Sequence, residues 1–389
     1  MDPIRNPFTP GAGNLPPELA GRSDILKTAE INIQRANIGN QTIPMILLGL
    51  RGVGKTVLLN KIYTMAEDSE HLVSFIEAQD KKDLMCVLVP RIHQILLRLS
   101  LTEKLKKARA AIASFCSMFK ITIGDVIEFG MERGIADSGD LEQDLTELFV
   151  NVGMALKEAG KAMTLLIDEV QCITRKDYSA LIMALHRCSQ LNLPILFFGA
   201  GLPTLAALSG NAKTYSERLF RFPKVDVLEQ HDAEDAIRLP LQRNDVDIDD
   251  DALALLIEQA HGYPYFLQLW GDRVWNLAEG PTITKDDVAQ ATTEVIKALD
   301  EEFFRVRYDR MTPKECEYIH TMASLGKGPY KSSDIATKLS TTTQALAPRR
   351  SKLITKGIIF AGKDHGYIDF TVPLFDEFLR RNFPEKYID

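Results

Sequence analysis

The chain of 389 residues carries 46 Lys and Arg against 53 Asp and Glu, a formal net charge of −7, with 45% hydrophobic and 25% charged residues. That mix belongs to a globular protein of two or three domains and excludes a disordered chain, which needs fewer apolar residues and a larger charge imbalance. Apolar runs such as Pro44–Leu50 and Leu193–Gly201 are strand-sized, well short of the ~20 residues of a membrane span, so no membrane partner is expected. The opening MDPIRNPFTPGAG has no basic stretch leading into an apolar one, and no secretory signal is read there. Five cysteines (Cys86, Cys116, Cys172, Cys188, Cys316) form no CxxC pair, which predicts reduced thiols and a cytoplasmic location.

In chain order, the first 17 residues are rich in Pro, Gly and Asn and read as an extended arm. Five apolar runs then predict strands: Met45–Gly49, Leu72–Glu77, Thr164–Ile167, Ile195–Phe198 and a weaker Phe220–Val227. Helical patterns separate them, the alternation of an α/β domain with a mainly parallel sheet. The long gap of about 80–160 holds helical stretches, Leu84–Leu99 and the cationic Glu103–Phe119, and predicts a helical insertion. After Leu228 come four helical patterns, one opened by Thr284 with Asp287 three positions on. The last segment predicts two helices, a polar turn at Ser340–Thr343, a basic helix from about Pro348 to Gly357 and two short strands, the order of a winged helix-turn-helix. The domain boundaries expected are 1–230, 231–308 and 309–389.

Gly49-Leu50-Arg51-Gly52-Val53-Gly54-Lys55-Thr56 is a full GxxxxGK[ST] following an apolar run and preceding a helix-like stretch from Val57. This strand–loop–helix setting is the context of a P-loop, whose amides and helix N-terminus converge on phosphate oxygens. The loop residues, Gly49, Arg51, Gly52, Val53, Gly54, Lys55, Thr56 and Val57 among them, are the expected ATP/ADP contacts. Lys55 is expected on the β/γ-phosphates and the Thr56 hydroxyl on Mg²⁺. A second apolar strand ends in Asp168-Glu169. Asp168 is the expected second Mg²⁺ residue, and Glu169 the group that positions and deprotonates the attacking water. An adjacent Glu favours hydrolysis over phosphorylation of a small molecule.

With Leu165–Gln171 (LLIDEVQ), the loop resembles the AAA+/STAND side of the P-loop NTPases, most of all the bacterial and archaeal ATPases related to origin-recognition initiators. The likeness runs along nearly the whole chain. Pro16–Arg22 resembles the segment these families fold over adenine, which implies contacts from Pro17, Leu19 and Arg22, and His261–Leu267 resembles the GxP motif of STAND helical domains, which implies one from Pro264. The resemblance implies an α/β P-loop domain with a parallel five-stranded sheet, a helical lid domain and a winged helix. Two departures stand out: Phe198 and Gly199 occupy the stretch where a polar sensor residue is usual, and Tyr265 and Phe266 stand where the lid usually has an arginine. Both favour a slow nucleotide switch over a motor. Arg218, ahead of the fifth predicted strand, is a candidate arginine finger, and a surface ion pair explains it equally well.

Charge is uneven. From Met311 to Asp389 there are 12 Lys and Arg against 9 Asp and Glu, net +3, which leaves −10 for the first 310 residues. Arg349, Arg350, Lys352 and Lys356 fall on the basic helix, expected near its start, and Lys363 and His365 on the wing. Two readings stand side by side: contact with double-stranded DNA, or a structural clamp with solvated charges. Lys104, Lys106, Lys107 and Arg109 form a denser basic cluster in the insertion. The function expected is an ATP-binding, Mg²⁺-dependent ATPase switch, with DNA, a homo-oligomer or a protein as partner; the alternative is a very slow or non-enzymatic STAND-type scaffold.

Overall fold

The computed structural model describes residues 1–11, 13–79, 82–100, 102–121, 136, 138–205, 216–362, 364 and 366–386. These form two compact units. One comprises Arg22–Gly49 and Gly54–Val225; the other comprises Met1–Gly21, Leu50–Val53 and Asp226–Asp389.

The first unit is built on four parallel strands: β1 (Met45–Leu48), β2 (Leu72–Glu77), β3 (Met163–Asp168) and β4 (Ile195–Gly201), in the order β1-β4-β3-β2. β1, β3 and β4 are buried along their whole lengths, as a parallel sheet covered on both faces requires. Their sequences are accordingly mostly apolar, with Thr164 and Asp168 of β3 the buried polar exceptions. Helices α1 (Ser23–Asn37), α2 (Lys55–Asp68), α3 (Met85–Leu96), α4 (Glu103–Phe119), α5 (Leu141–Glu158) and α6 (Arg175–Gln190) complete the layers, with a short α7 at Ser216–Leu219.

The fifth strand expected at Phe220–Val227 is not formed; the sheet has four. That segment does run parallel to β1: Arg221 donates to the Pro44 carbonyl (2.9 Å), Ile46 to Arg221 (2.8 Å), Leu48 to Pro223 (2.9 Å) and Val225 to Leu48 (2.7 Å). The missing rung is the one Pro223 would donate, and proline has no N–H. Two isolated bridges, Met45–Arg221 and Leu48–Lys224, are what remains of the ladder.

Helices α3, α4 and α5, from the stretch expected as an insertion, belong to the main core. Leu88, Ile92, Leu105, Phe115, Leu148 and Phe149 are buried in one cluster with Leu165, Ile167 and Phe197 of the sheet. Each of α4 and α5 starts at a side-chain cap: Thr102 accepts from Leu105 N at 3.1 Å and Asp140 from Gln143 N at 3.0 Å.

The second unit holds the N-terminal arm against a helix. The amino terminus donates to the Ala278 carbonyl at 2.6 Å, Asn6 to Asp272 Oδ1 at 2.8 Å, and Phe8 lies over Gly271 so closely that a Cβ there would be 2.7 Å from its ring. Four helices follow: α8 (Gln230–Gln242), α9 (Asp250–Ala260), α10 (Pro264–Leu277) and α11 (Lys285–Ala298). The helix start predicted at Thr284 is present as a reciprocal capping box with Asp287. A π-helical stretch, Leu299–Phe304, continues α11.

The C-terminal part contains α12 (Pro313–Ala323), β5 (Tyr330–Lys331), α13 (Ser332–Lys338), α14 (Thr343–Thr355), β6 (Ile359–Ala361), β7 (Tyr367–Phe370) and α15 (Phe375–Asn382). Its strands form an antiparallel sheet with β7 in the middle. The basic helix does not begin at Pro348. It begins at Thr343, capped by the Thr342 hydroxyl, which accepts from Ala345 N at 3.2 Å, and Pro348 lies inside it. The helix start is set by the threonine cap and not by the proline.

Candidate functional site

The phosphate loop turns on glycines in conformations other residues avoid. Gly52 has φ +79° and Gly54 φ +95°, and Gly54 is the N-cap of α2. A Cβ at Gly54 would meet no described atom within 4 Å apart from its chain neighbours. Lys55, the first residue of α2, is buried. Thr56, next along, donates its hydroxyl to Asp168 Oδ2 at 2.6 Å. Asp168 is itself buried at the carboxyl end of β3, and its other oxygen accepts from the Glu169 N–H at 2.8 Å. Thus Thr56 and Asp168, paired in the reading of the sequence, are brought together in the structure. Two hard oxygen ligands side by side fit a Mg²⁺ ion.

Glu169 sits just past the strand with φ 52°, a left-handed conformation uncommon for a side chain of this size. A 3₁₀ turn, Val170–Cys172, follows it. This turn brings Gln171 against Glu169: its Nε2 donates to Glu169 Oε2, and its Oε1 accepts from Leu202 N at 3.1 Å. The sequence reading gives Gln171 no role beyond its place in Leu165–Gln171. Its signal is a polar amide two residues past the acidic pair, at the first turn.

A second group lies in the other unit, around the loop tip Leu50–Val53. The Tyr263 hydroxyl donates to the Arg51 carbonyl, and a Cβ at Gly52 would collide with that phenol. Burial pushes the Tyr263 phenol well above its ordinary pKa. Arg51 Nη1 donates to the Lys356 carbonyl at 3.0 Å. Burial lowers the pKa of the nearby Arg307 guanidinium, with Arg51 adding to the effect, while its Cζ lies 3.6 Å from the centre of the Phe303 ring. The sequence reading singles out neither Tyr263 nor Arg307.

The remaining expected contacts are placed as follows. Val53 is buried, and Val57 lies in the first turn of α2. The Pro17 carbonyl accepts from Arg243 at 3.0 Å beside a Glu18–Arg243 ion pair, Leu19 is half-buried, and Arg22 is the N-cap of α1. Pro264 opens α10. Preceding it, Gly262 takes φ +62° and lies so close to Leu228 that a Cβ would be 2.7 Å from its carbonyl oxygen. Arg218, on α7, is exposed and close enough to His186 to lower that imidazole's pKa, behind the larger effect of burial.

The basic residues of α14 are not at its start. Arg349 pairs with Glu317 at 3.0 Å, Arg350 donates to Ser332 Oγ at 3.2 Å, and Lys356, at the C-cap, pairs with Glu315 at 2.7 Å. Lys352 is exposed. Lys363 and His365 lie outside the described residues. In the insertion Lys106 pairs with Glu103 at 2.7 Å, Lys104 and Lys107 are exposed, and Arg109 donates to the Leu96 carbonyl at 3.2 Å.

A four-stranded parallel sheet with a glycine-rich loop after its first strand and a buried Asp ending its third defines an α/β fold of the P-loop ATPase type. Among solved structures, the Walker-type ATPase of Pyrococcus abyssi matches with a TM-score of 0.58 at 16% identity, over 93% of this chain and 96% of that one. Cdc6p of Pyrobaculum aerophilum matches with a TM-score of 0.47 at 13% identity, over 100% and 99% of the two chains. An uncharacterised HTH-type transcriptional regulator of Methanocaldococcus jannaschii is 24% identical over 384 residues, 92% of this chain and 88% of its own. Residues 301–379 match a family described as a domain of unknown function, DUF8462. The likeness to the P. abyssi Walker-type ATPase holds at the level of fold. No described helix is long and apolar enough to cross a membrane.

Proposed function

We propose that this protein binds ATP with Mg²⁺ at the phosphate loop and hydrolyses it, passing between ATP and ADP states as a switch. The observation that carries the reading is the 2.6 Å pair between Thr56 and Asp168, which joins the loop to the acidic end of β3. In this reading the Gly54 region and the α2 N-terminus take the phosphates, Lys55 adds charge at the γ-phosphoryl, and Thr56 and Asp168 hold the ion. When bound, Mg²⁺ supplies charge that stabilises the developing phosphate oxygens. Glu169 accepts a proton as the water oxygen bonds to the γ-phosphorus and the bridge to ADP breaks. Arg218 is retained as a finger candidate, on the strength of its exposure.

The test is direct. Lys55→Ala is expected to stay folded and to lose ATP binding by calorimetry, while Glu169→Gln binds ATP and turns it over at least about 100-fold more slowly. Unchanged affinity in the lysine variant would remove the site.

A second reading adds DNA. It is favoured by the naming of the M. jannaschii relative as an HTH-type regulator and by the order of α12, β5, α13, α14, β6 and β7, which supports a winged helix. Lys352 is the basic residue of α14 left exposed for a phosphate contact, since Arg349, Arg350 and Lys356 have partners within the domain. A low-salt gel shift with duplex DNA that weakens in Lys352→Ala supports it; no shift with ATP or ADP at low salt counts against it. Light scattering with ADP, then with a non-hydrolysable ATP analogue, tests whether the switch acts through a homo-oligomer.

A further inference from the structure

The amide of Gln171 bridges two things that a hydrolytic site must keep in register: the carboxylate of Glu169 and the end of β4. Its Nε2 donates to Glu169 Oε2 and its Oε1 accepts from Leu202 N at 3.1 Å. The orientation of the amide is settled by these partners. A carboxylate can only accept and a backbone N–H can only donate, so exchanging N and O would set like against like on both sides.

The seat of this amide is built. The 3₁₀ turn after Glu169 is closed by Cys172 N donating to the Glu169 carbonyl at 2.8 Å. Its first residue, Val170, is buried and packs on β4, where a Cβ at Gly199 would be 3.1 Å from Val170 Cγ2. At Gly201, the last residue of β4, a Cβ would be 2.5 Å from Gln171 Oε1 and would also run into Leu205. An alanine at 201 would push the amide or Leu205 aside. Glu169 is meanwhile held in a left-handed backbone conformation, which is unfavourable for a non-glycine residue and persists where the surroundings over-determine it.

A glutamate has three rotatable bonds, and a base works only when its oxygen stays within hydrogen-bond reach of the proton it takes. We infer that Gln171 is a positioning residue for Glu169, holding its carboxylate in the orientation used for hydrolysis and coupling that orientation to the end of β4. The inference rests on the ATPase reading above. It adds a residue that acts through the base and does not touch nucleotide, so its loss is expected in kcat and not in ATP affinity.

Gln171→Ala and the longer, non-bonding Gln171→Met are each expected to lower kcat by about 10–100-fold, the range for losing fine placement of a catalytic group, with ATP affinity and melting behaviour near wild type. Gly201→Ala, which crowds the same amide, is expected to give a similar loss. The deciding measurement is the double variant. In a Glu169→Gln background, adding Gln171→Ala should change the residual rate by less than about 2-fold, because its effect passes through the residue already replaced. A loss that multiplies in that background, or wild-type kcat in both Gln171 variants, overturns the role while leaving the ATPase reading intact. Wild-type protein that binds ATP and shows no turnover overturns the hydrolytic reading, and this role with it.

Discussion

The guanidinium of Arg51, at the tip of the phosphate loop, donates to the backbone carbonyl of Lys356, 305 residues further along, at 3.0 Å. Gly357 follows at φ +66°, and a Cβ there would be 3.0 Å from Arg51 Cζ and Nε. Two independent costs therefore attach to Gly357→Ala: about 1 kcal/mol for a side chain at positive φ, and displacement of Arg51. Arg51→Ala is expected to cost about 1.5–3 kcal/mol in urea unfolding, the worth of a charged donor's hydrogen bond. With Arg51 already removed, Gly357→Ala should cost only the backbone part. Full additivity of the two losses would show that the contact is not their source.

How much of this was legible depended on range. The four strands are four to seven residues long and mostly apolar, and the loop after β1 is a contiguous motif, so both could be read locally. Asp168 was legible because a strand ending in Asp has one place to put it. The fifth strand failed because its apolar pattern contains Pro223, which removes the single rung that would have joined its two bridges. The start of α14 was misplaced because a proline was weighed above a threonine cap six residues earlier. Tyr263 and Arg307 were missed for a different reason. Their importance lies in what they meet, the Arg51 backbone in one case and a buried position beside Arg51 and Phe303 in the other, and no spacing encodes that.

Thr56 tests the ion directly. Its hydroxyl bonds Asp168, and Thr56→Val keeps the shape while removing both this bond and the expected ligand. At saturating ATP, hydrolysis should fall by about 100-fold or more and lose its dependence on added Mg²⁺, while EDTA should abolish turnover in the wild-type protein. Mg²⁺ at about 100 times its Kd in the presence of ATP should stabilise wild type by about 2.7 kcal/mol and the variant by much less. Thermal melts with and without the ion read the difference. Equal stabilisation of both proteins would take Thr56 out of the site.

Phe304 joins the helical and C-terminal parts of its unit. It is fully buried, with ring centres of Phe303 at 5.3 Å, Phe375 at 5.5 Å and Phe378 at 5.4 Å, and Phe266 edge-on at 6.4 Å. Phe304→Ala empties a site lined by other rigid rings, which collapse poorly, so a loss of about 3–5 kcal/mol is expected. Phe304→Leu should recover most of it. Denaturant titrations of the two variants give the comparison, and a loss under about 1 kcal/mol for alanine would mean the rings repack.

Two buried histidines make stability depend on pH in a predictable direction. His71 precedes β2 and has its Nδ1 2.7 Å from the Thr164 hydroxyl; burial pushes its pKa down to about 4. His320 on α12 has its Nε2 3.0 Å from the Tyr308 hydroxyl, and burial, with Lys386 adding, brings it to about 4 as well. Unfolded, each titrates near 6.5. Above that value both states are neutral and neither residue contributes to any slope. Between about 6.5 and 4 the unfolded chain binds protons that the folded chain does not, so stability falls with pH by up to about 1.4 kcal/mol per unit for each histidine, levelling below about 4. Buried carboxyls work the other way at the acid end of this range: burial raises Asp177, Asp272 and Asp369, which favours the folded state as they take up protons. The histidine contribution is therefore read between pH 6.5 and 5, as the difference between wild type and a His71→Gln/His320→Gln double variant in urea titrations. Wild type should lose stability more steeply than the variant across that window; parallel slopes would show that the two imidazoles take up protons in the folded protein as readily as in the unfolded one.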